Sequence, residues 1–415
     1  LSKSLKYGAS STLAMKDGSD IQSSHEWEVL VVRDFEQIEA VRQVWEKMQA
    51  EEPYPKINAD IDRYLSTLKA TSNSTEPYII VLKENGRPAA MVIGWVDKCC
   101  LKCKIGRWTW FKPTLRQLTV VYGGVIGNRS EQIIRVLVGE MMKVLRRGEV
   151  DVVFFNHLET DSSIYQIARK MPGLFCRGHF PKAELHWCMS IPDHIDRFWE
   201  ACSHNRRKKL RKHTKRLEKR YPGQVKMVTY SRQEEVAEGL RIAADISANT
   251  YQRAFGGGLV NDAATRAIFE AAAKKDWLRI YILFVAGEPC AFKSIMKYGR
   301  ICFAEVTAYS PKWMDWNVGS ILFLKVVEQI CGDPVVDSLD FGHGDGQHKQ
   351  AGDSRQWAEA SVFIFAPRLF PVFVNLIISI TSAINVLTQQ FVTRLGIYNL
   401  VQQYRRKRIL QKSKE

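Results

Sequence analysis

Apolar residues alternate with polar ones from Trp27 to Val32, and that period of two predicts a strand. Ile38, Val41, Val44, Trp45 and Met48 then recur at helical spacing over 35–49, until Pro53-Tyr54-Pro55 breaks the run, and a second short helix is expected over 60–69. Two β-rich runs, 78–82 and 89–95, flank Glu84-Asn85-Gly86-Arg87, the signature of a tight hairpin. Strands near 107–111 and 118–125, a helix over 130–147 and a strand over 150–155 complete the first half.

The second half repeats this plan. Tyr281-Ile282-Leu283-Phe284, a turn at Gly287 and Pro289-Cys290-Ala291 mirror Ile80-Val81-Leu82, Gly86 and Pro88-Ala89-Ala90. Gly86 and Gly287, Pro88 and Pro289, and Ala90 and Ala291 share one offset of 201 residues. The order is helix 193–220, strand 224–229, helices 233–250 and 262–274, strands 278–286, 289–297 and 301–308, loop 309–316, helix 317–331 and strand 335–341. The reading is two copies of one mixed α/β (α+β) unit. A polar lead-in over 1–25 is expected to be disordered, the first copy spans 26–185, the second 186–367, and a helical tail fills 368–415.

Composition narrows the classes. The 415 residues are 46% apolar and 25% charged, which excludes wholesale disorder and a polytopic membrane protein. The net charge of +16 is concentrated: residues 206–220 carry +9 and 405–415 carry +5, so the rest is nearly neutral. Nine scattered cysteines, an odd number, read as reduced thiols of a cytoplasmic protein. Cys100-Leu101-Lys102-Cys103 has knuckle spacing but lacks a second ligand pair, and nothing else in the sequence requires a metal.

A set of ordered motifs carries a resemblance. Phe198-Trp199-Glu200-Ala201-Cys202-Ser203 leads into the basic run 206–219; Gly287-x-Pro289-x-Ala291 follows; then Tyr309-Ser310-Pro311 with Asn317-Val318-Gly319-Ser320-Ile321-Leu322; then Asp340-Phe341-Gly342-His343-Gly344-Asp345 with Lys349. Together they resemble the GNAT acyltransferase fold and, more closely, the CelD-like tandem-GNAT acetyltransferases of bacterial envelope polysaccharide gene systems, relatives of the FemABX transferases. The resemblance implies two GNAT-like domains, the second catalytic and the first a degenerate copy, with acetyl-CoA or another acyl-CoA as co-substrate. Of the pyrophosphate loop Arg/Gln-x-x-Gly-x-Gly/Ala, only Gly319 stands here.

Candidate chemistry follows that frame. Thr307, Tyr309, Lys312, Asn317, Val318, Gly319 and Ser320 surround a helix start, whose free N–H groups and positive end suit a pyrophosphate, with Asn317 as the expected N-cap. Glu305, a carboxylate amid the apolar run Ile301-Cys302-Phe303-Ala304, is a candidate general base if burial raises its pKa; a solvated strand face is the competing reading. Asp340, His343, Asp345 and His348 are candidate base or hydroxyl partners in a glycine-rich stretch after a strand end, and the resemblance lends Lys349 a charge-stabilising role. Arg206 and Arg207 open a basic helix fit for an anionic substrate.

Residues 369–393 contain no charge, and Phe373, Ile377, Ile380, Ile384, Leu387 and Phe391 form one stripe while Asn375, Ser379, Ser382, Gln389 and Thr393 form another. This predicts an amphipathic helix docked on the protein or lying on a membrane, with Arg368, Arg394 and 405–408 facing an anionic inner leaflet. Three functions remain: acyl transfer from acyl-CoA to a sugar or lipid-linked envelope or exopolysaccharide precursor; a FemABX-like transfer from aminoacyl-tRNA, where the basic helix meets transfer RNA; or a non-catalytic polyanion- or membrane-binding scaffold. Oligomeric state is not legible.

Overall fold

A computed structural model describes residues 26–71, 75–106, 108–250, 257–344, 349 and 353–394. The lead-in, Asp345, His348 and the basic cluster 405–408 lie outside the described residues. The described residues form two compact units, one comprising those from 26 to 182 together with Ala360–Asn385, the other comprising Ala183–Glu359 and those from 386 to 394.

In the first unit the strands lie in the order β1 (Trp27–Val32), β2 (Thr75–Glu84), β3 (Arg87–Cys100), β6 (Thr114–Gly127), β7 (Val152–Glu159) and then β14 (Ser354–Phe365). A small separate ribbon pairs β4 (Cys103–Ile105) with β5 (Trp108–Phe111). One face is covered by α4 (Glu131–Arg146) and α5 (Ser163–Lys170), whose Ile133, Leu137, Met141 and Ile167 pack on Ile80, Val92, Val120 and Val153. The other face is covered by α1 (Phe35–Ala40), α2 (Arg42–Ala50) and α3 (Ile61–Ala70), which bury Trp45 and Tyr64. The single helix expected over 35–49 breaks at Val41, which caps one helix and starts the next.

The second unit follows the same order: β9 (Val225–Tyr230), β10 (Leu278–Val285), β11 (Glu288–Tyr298), β12 (Ile301–Tyr309), β13 (Ser338–His343), then β8 (Ala183–Ser190), with the first part of β14 beside β8. Its helices are α6 (Ile195–Ala201), α7 (His204–Arg220), α8 (Val236–Ala248), α9 (Ala263–Lys274) and α10 (Val318–Cys331). The helix expected over 193–220 is two, because Cys202 is extended and the Ser203 side chain caps the N-terminus of α7.

The internal repeat reaches finer detail than the sequence suggested. Asn85-Gly86 and Ala286-Gly287 both turn through positive φ. Both hairpins then slip register at matching places, between Leu82 and Lys83 and between Leu283 and Phe284. A second irregularity falls at Val92/Gly94 in β3 and at Lys293/Ile295 in β11, again 201 residues apart. Bulges re-aim side chains, so matching bulges mean that the two units direct equivalent positions alike.

The tail brings one correction and one expectation met. The second domain was expected to run to 367, but the chain passes to the first unit at Ala360, where Val362, Ile364 and Ala366 enter the core against α4 and α5. Residues 369–393 do form one helix, α11 (Leu369–Arg394), but its faces are turned opposite to those of a soluble amphipathic helix. Asn375 is buried and donates to the carbonyls of Phe175 (2.9 Å) and Arg177 (3.0 Å). Asn385 donates to Lys104 O (2.6 Å) and accepts from Gly106 N (3.0 Å). Phe373, Ile380, Leu387 and Phe391 of the apolar stripe are exposed.

Candidate active site

The site is set by an opening in the second sheet. β12 and β13 pair in parallel only from Ile301–Phe303 to Ser338–Asp340. β12 then runs on to Tyr309 and β13 to His343 without pairing, so the strands part and leave backbone and side chains of both facing a gap. Glu305 and Val306 are the residues looped out opposite the β11 irregularity, where Ser294 Oγ accepts from Val306 N at 3.1 Å.

Glu305 is exposed and sits on the solvated strand face. The buried ionisable group here is Lys293 of β11, 3% exposed, whose Nζ donates to Thr307 Oγ1 at 3.1 Å. Burial, with the charge of Lys349 adding to it, pulls the Lys293 pKa down to about 8. Sequence reading passed over Lys293, although a lysine inside Cys290-Ala291-Phe292 and Ile295-Met296 is a clear polar interruption. Lys349 is also buried; its ammonium donates to His343 O (2.6 Å) and Gly342 O (3.2 Å) and so braces the end of β13.

At one border of the gap lies the start of α10. Asn317 occupies the N-cap position as expected, but in a left-handed conformation (φ 54°) in which its side chain makes no capping bond. Its Nδ2 instead meets His213 Nδ1 of α7 at 3.3 Å. The expected loop before it is a 3-10 turn, Pro311–Trp316. Gly319 lets the Tyr309 ring lie against the helix start, since a Cβ there would stand 3.3 Å from Tyr309 Cδ1. Lys312 is paired with Glu288 at 2.6 Å.

The basic helix α7 runs beside this turn. Arg216 stacks on Trp316 (4.6 Å) and donates to Asp315 O (3.3 Å), and Arg211 lies over Trp199 (5.2 Å). Arg207 donates to Cys202 O at 3.2 Å, and Arg206, with its guanidinium pKa lowered by burial, lies 6.0 Å over Phe323. His213 is held below its usual pKa by burial and by Lys209, Lys212 and Arg216. The helix thus presents charge toward solvent while its stems and rings anchor it.

A second polar group lies at the other border of the gap, on β8, β13 and β14. His186 and His343 are cross-strand partners, their rings edge to face at 4.8 Å. His343 Nε2 and Glu359 Oε2 are 2.6 Å apart, and Trp357 Nε1 donates to Glu359 Oε1 at 2.6 Å. His186 Nε2 stands 2.7 Å from Asp340 Oδ1, close enough for charge contact though off the line of a straight hydrogen bond. Burial alone would raise the Glu359 pKa, but hydrogen bonds from His186, His343 and Trp357 outweigh it and hold the carboxylate ionised. Asp340 and Glu359 are each 2% exposed. His186 and Glu359 were missed in the sequence: the first is a lone His in a strand that was expected, the second lies on a strand, β14, that was not.

Residues 204–350 match the family model described as an acetyltransferase (GNAT) domain. The second unit therefore carries a GNAT acetyltransferase domain, and the protein is a transferase. FemX superposes with a TM-score of 0.57 at 11% identity, covering 81% of this chain and 98% of its own, a likeness of fold. A conserved protein of unknown function from Bacteroides thetaiotaomicron gives 0.47 at 10% identity over 78% of this chain and 97% of its own. A tandem GNAT protein from the clavulanic acid biosynthesis pathway gives 0.44 at 11% identity over 82% of this chain and 100% of its own. No curated protein matches the chain in sequence.

Proposed function

We propose that the second unit transfers an acyl group from acyl-CoA to an amine or hydroxyl of a cell-envelope or exopolysaccharide precursor, as in the CelD-like enzymes it resembles. The observation that carries this reading is the start of α10: a helix N-terminus with no side-chain cap, bordered by α7, opening onto the gap between β12 and β13. Backbone N–H groups of Val318 and Gly319 and the arginines of α7 fit a diphosphate. Acyl-CoA bound there supplies the activated thioester. Glu305, exposed on the looped-out segment of β12, is the group placed to take the acceptor's proton, and Lys293 and Thr307 supply hydrogen-bond donors within the gap. Calorimetry with acetyl-CoA tests this: saturable binding weakened by Arg216→Ala supports it. Absence of binding together with transfer from aminoacyl-tRNA would replace it with the FemABX-like reading, and absence of both donors leaves a scaffold.

We further infer that the enzyme works on an anionic membrane surface. The support is the reversed face of α11. Trp108 and Trp110 of the β4–β5 ribbon and Leu174 and Phe175 are exposed like the helix's apolar stripe, and α11 is hydrogen-bonded to both segments. No Asp or Glu occurs between Asp97 and Glu131, or between Asp161 and Glu184, while Lys102, Lys104, Lys112, Arg177 and Lys182 do. Apolar and aromatic tips beside lysines are what an interfacial surface requires. Co-sedimentation with vesicles containing phosphatidylglycerol should succeed and should fail for Trp108→Ser/Trp110→Ser/Phe373→Ser; equal retention of that triple variant would overturn the assignment.

A further inference from the structure

We propose that His186, His343 and Glu359 bind one divalent first-row transition-metal ion. The three residues come from adjacent strands β8, β13 and β14, and the acyl transfer proposed above assigns none of them a step. His186 Nδ1 lies 3.4 Å from His343 Nε2 and 3.6 Å from Glu359 Oε1, and His343 Nε2 lies 2.6 Å from Glu359 Oε2. Metal–ligand bonds to imidazole and carboxylate are about 2.0–2.2 Å, so atoms this far apart can share one ion. The side chains are buried apart from His343, which is 22% exposed and provides the route of entry.

The atoms not offered to the ion are the stronger argument. Asp340 Oδ1 stands 2.7 Å from His186 Nε2 and so holds the ring whose Nδ1 lies nearest Glu359. Trp357 Nε1 donates to Glu359 Oε1, and its ring stacks on His186 at 4.4 Å, fixing both ligands. Lys349 bonds the carbonyls of Gly342 and His343 and so fixes the strand end that carries the third. Two imidazoles and one carboxylate suit zinc, iron(II) or cobalt(II) better than magnesium or calcium, which prefer oxygen. Three protein ligands leave coordination positions for water or a substrate oxygen.

The test is metal binding itself. The full chain, stripped with chelator and titrated with Co²⁺, should take up one equivalent with visible d–d absorption, and Zn²⁺ should displace it. His343→Gln and Glu359→Gln should abolish the spectrum, and Asp340→Asn should weaken affinity about 10–100-fold. Circular dichroism of each variant checks folding, and His343→Gln, at the partly exposed ligand, is the decisive one. Wild-type protein that takes up no stoichiometric Co²⁺ or Zn²⁺, or a folded His343→Gln variant with an unchanged spectrum, would overturn the proposal. Loss of metal without loss of acetyl-CoA binding would separate this site from the start of α10.

Discussion

The first unit fills with its own side chains the gap that the second leaves lined with polar groups. In both, the parallel pair parts after a few residues, β6 from β7 beyond Val120–Phe155 and β12 from β13 beyond Phe303–Asp340. In the first unit Tyr122 meets His157 across the parted strands at 6.4 Å, and the Lys56 ammonium lies over Tyr122 (4.7 Å) and Tyr54 (4.2 Å). Gly123 is needed there because a Cβ would strike the Lys56 side chain at 2.5 Å. The helix that follows is closed too, since Ser130 caps α4 through Ile133 N, whereas Asn317 leaves α10 uncapped. At the matching bulge the first unit has Val92 and the second Lys293. The same backbone device thus holds an apolar side chain in one copy and a buried ammonium in the other.

Substitutions that exchange features between the copies test this contrast. The largest effect is expected from Val92→Lys, which puts an ammonium into the apolar counterpart of the Lys293 site. It should destabilise by about 3–5 kcal/mol in urea unfolding. A cost under about 1 kcal/mol would show that the first copy still offers polar partners there.

The reverse change, Lys293→Met, should stabilise the protein at pH 7. Lys293 has a folded pKa of about 8 against 10.5 for the free side chain, so the unfolded chain binds the extra proton between those values. Its penalty is therefore fully present below pH 8 and fades as pH rises toward 10.5. The variant's advantage, of order 3 kcal/mol at most, should shrink over that window. A gap that is flat or widens with pH would mean that Lys293 is not held below its usual pKa.

Gly319→Val, which crowds Tyr309 at the start of α10, should weaken acetyl-CoA binding about tenfold, roughly 1.4 kcal/mol, in calorimetry. Ser130→Ala at the equivalent helix should leave that affinity unchanged and lower stability by about 1 kcal/mol. If Ser130→Ala changed acetyl-CoA affinity as much as Gly319→Val, the first copy would not be closed. The smallest effect belongs to Lys56→Met, where loss of two cation–π contacts should cost about 0.5–1 kcal/mol, read from the thermal midpoint.

Much of the fold was legible because it rests on local signals. Asn85-Gly86 and the 201-residue offset led to the hairpins, and periodicity placed β1, α4, α8 and α10 within a few residues. What escaped depends on long-range pairing. β14 was not foreseen, because residues before it are glycine-rich and polar and its first half alternates weakly; with it went Glu359 and Trp357. Which face of α11 meets protein was left open, because periodicity identifies two stripes without saying which one docks. Glu305 and Lys293 show the same limit: each is a charge in an apolar strand, and only the register reveals that the first faces solvent and the second does not.

β14 also bears on how the chain is made. Its residues 354–359 complete the second unit and 360–365 the first, so the first unit is interrupted by everything between Lys182 and Ala360. On the ribosome, at about 5–20 residues per second, about ten to forty seconds pass between synthesis of β7 and arrival of the strand that pairs beside it. During that interval an edge rich in Val and Phe stands open. A chaperone, or early closure of the second unit alone, must bridge the delay, and a fragment ending near residue 182 should be recovered as aggregate.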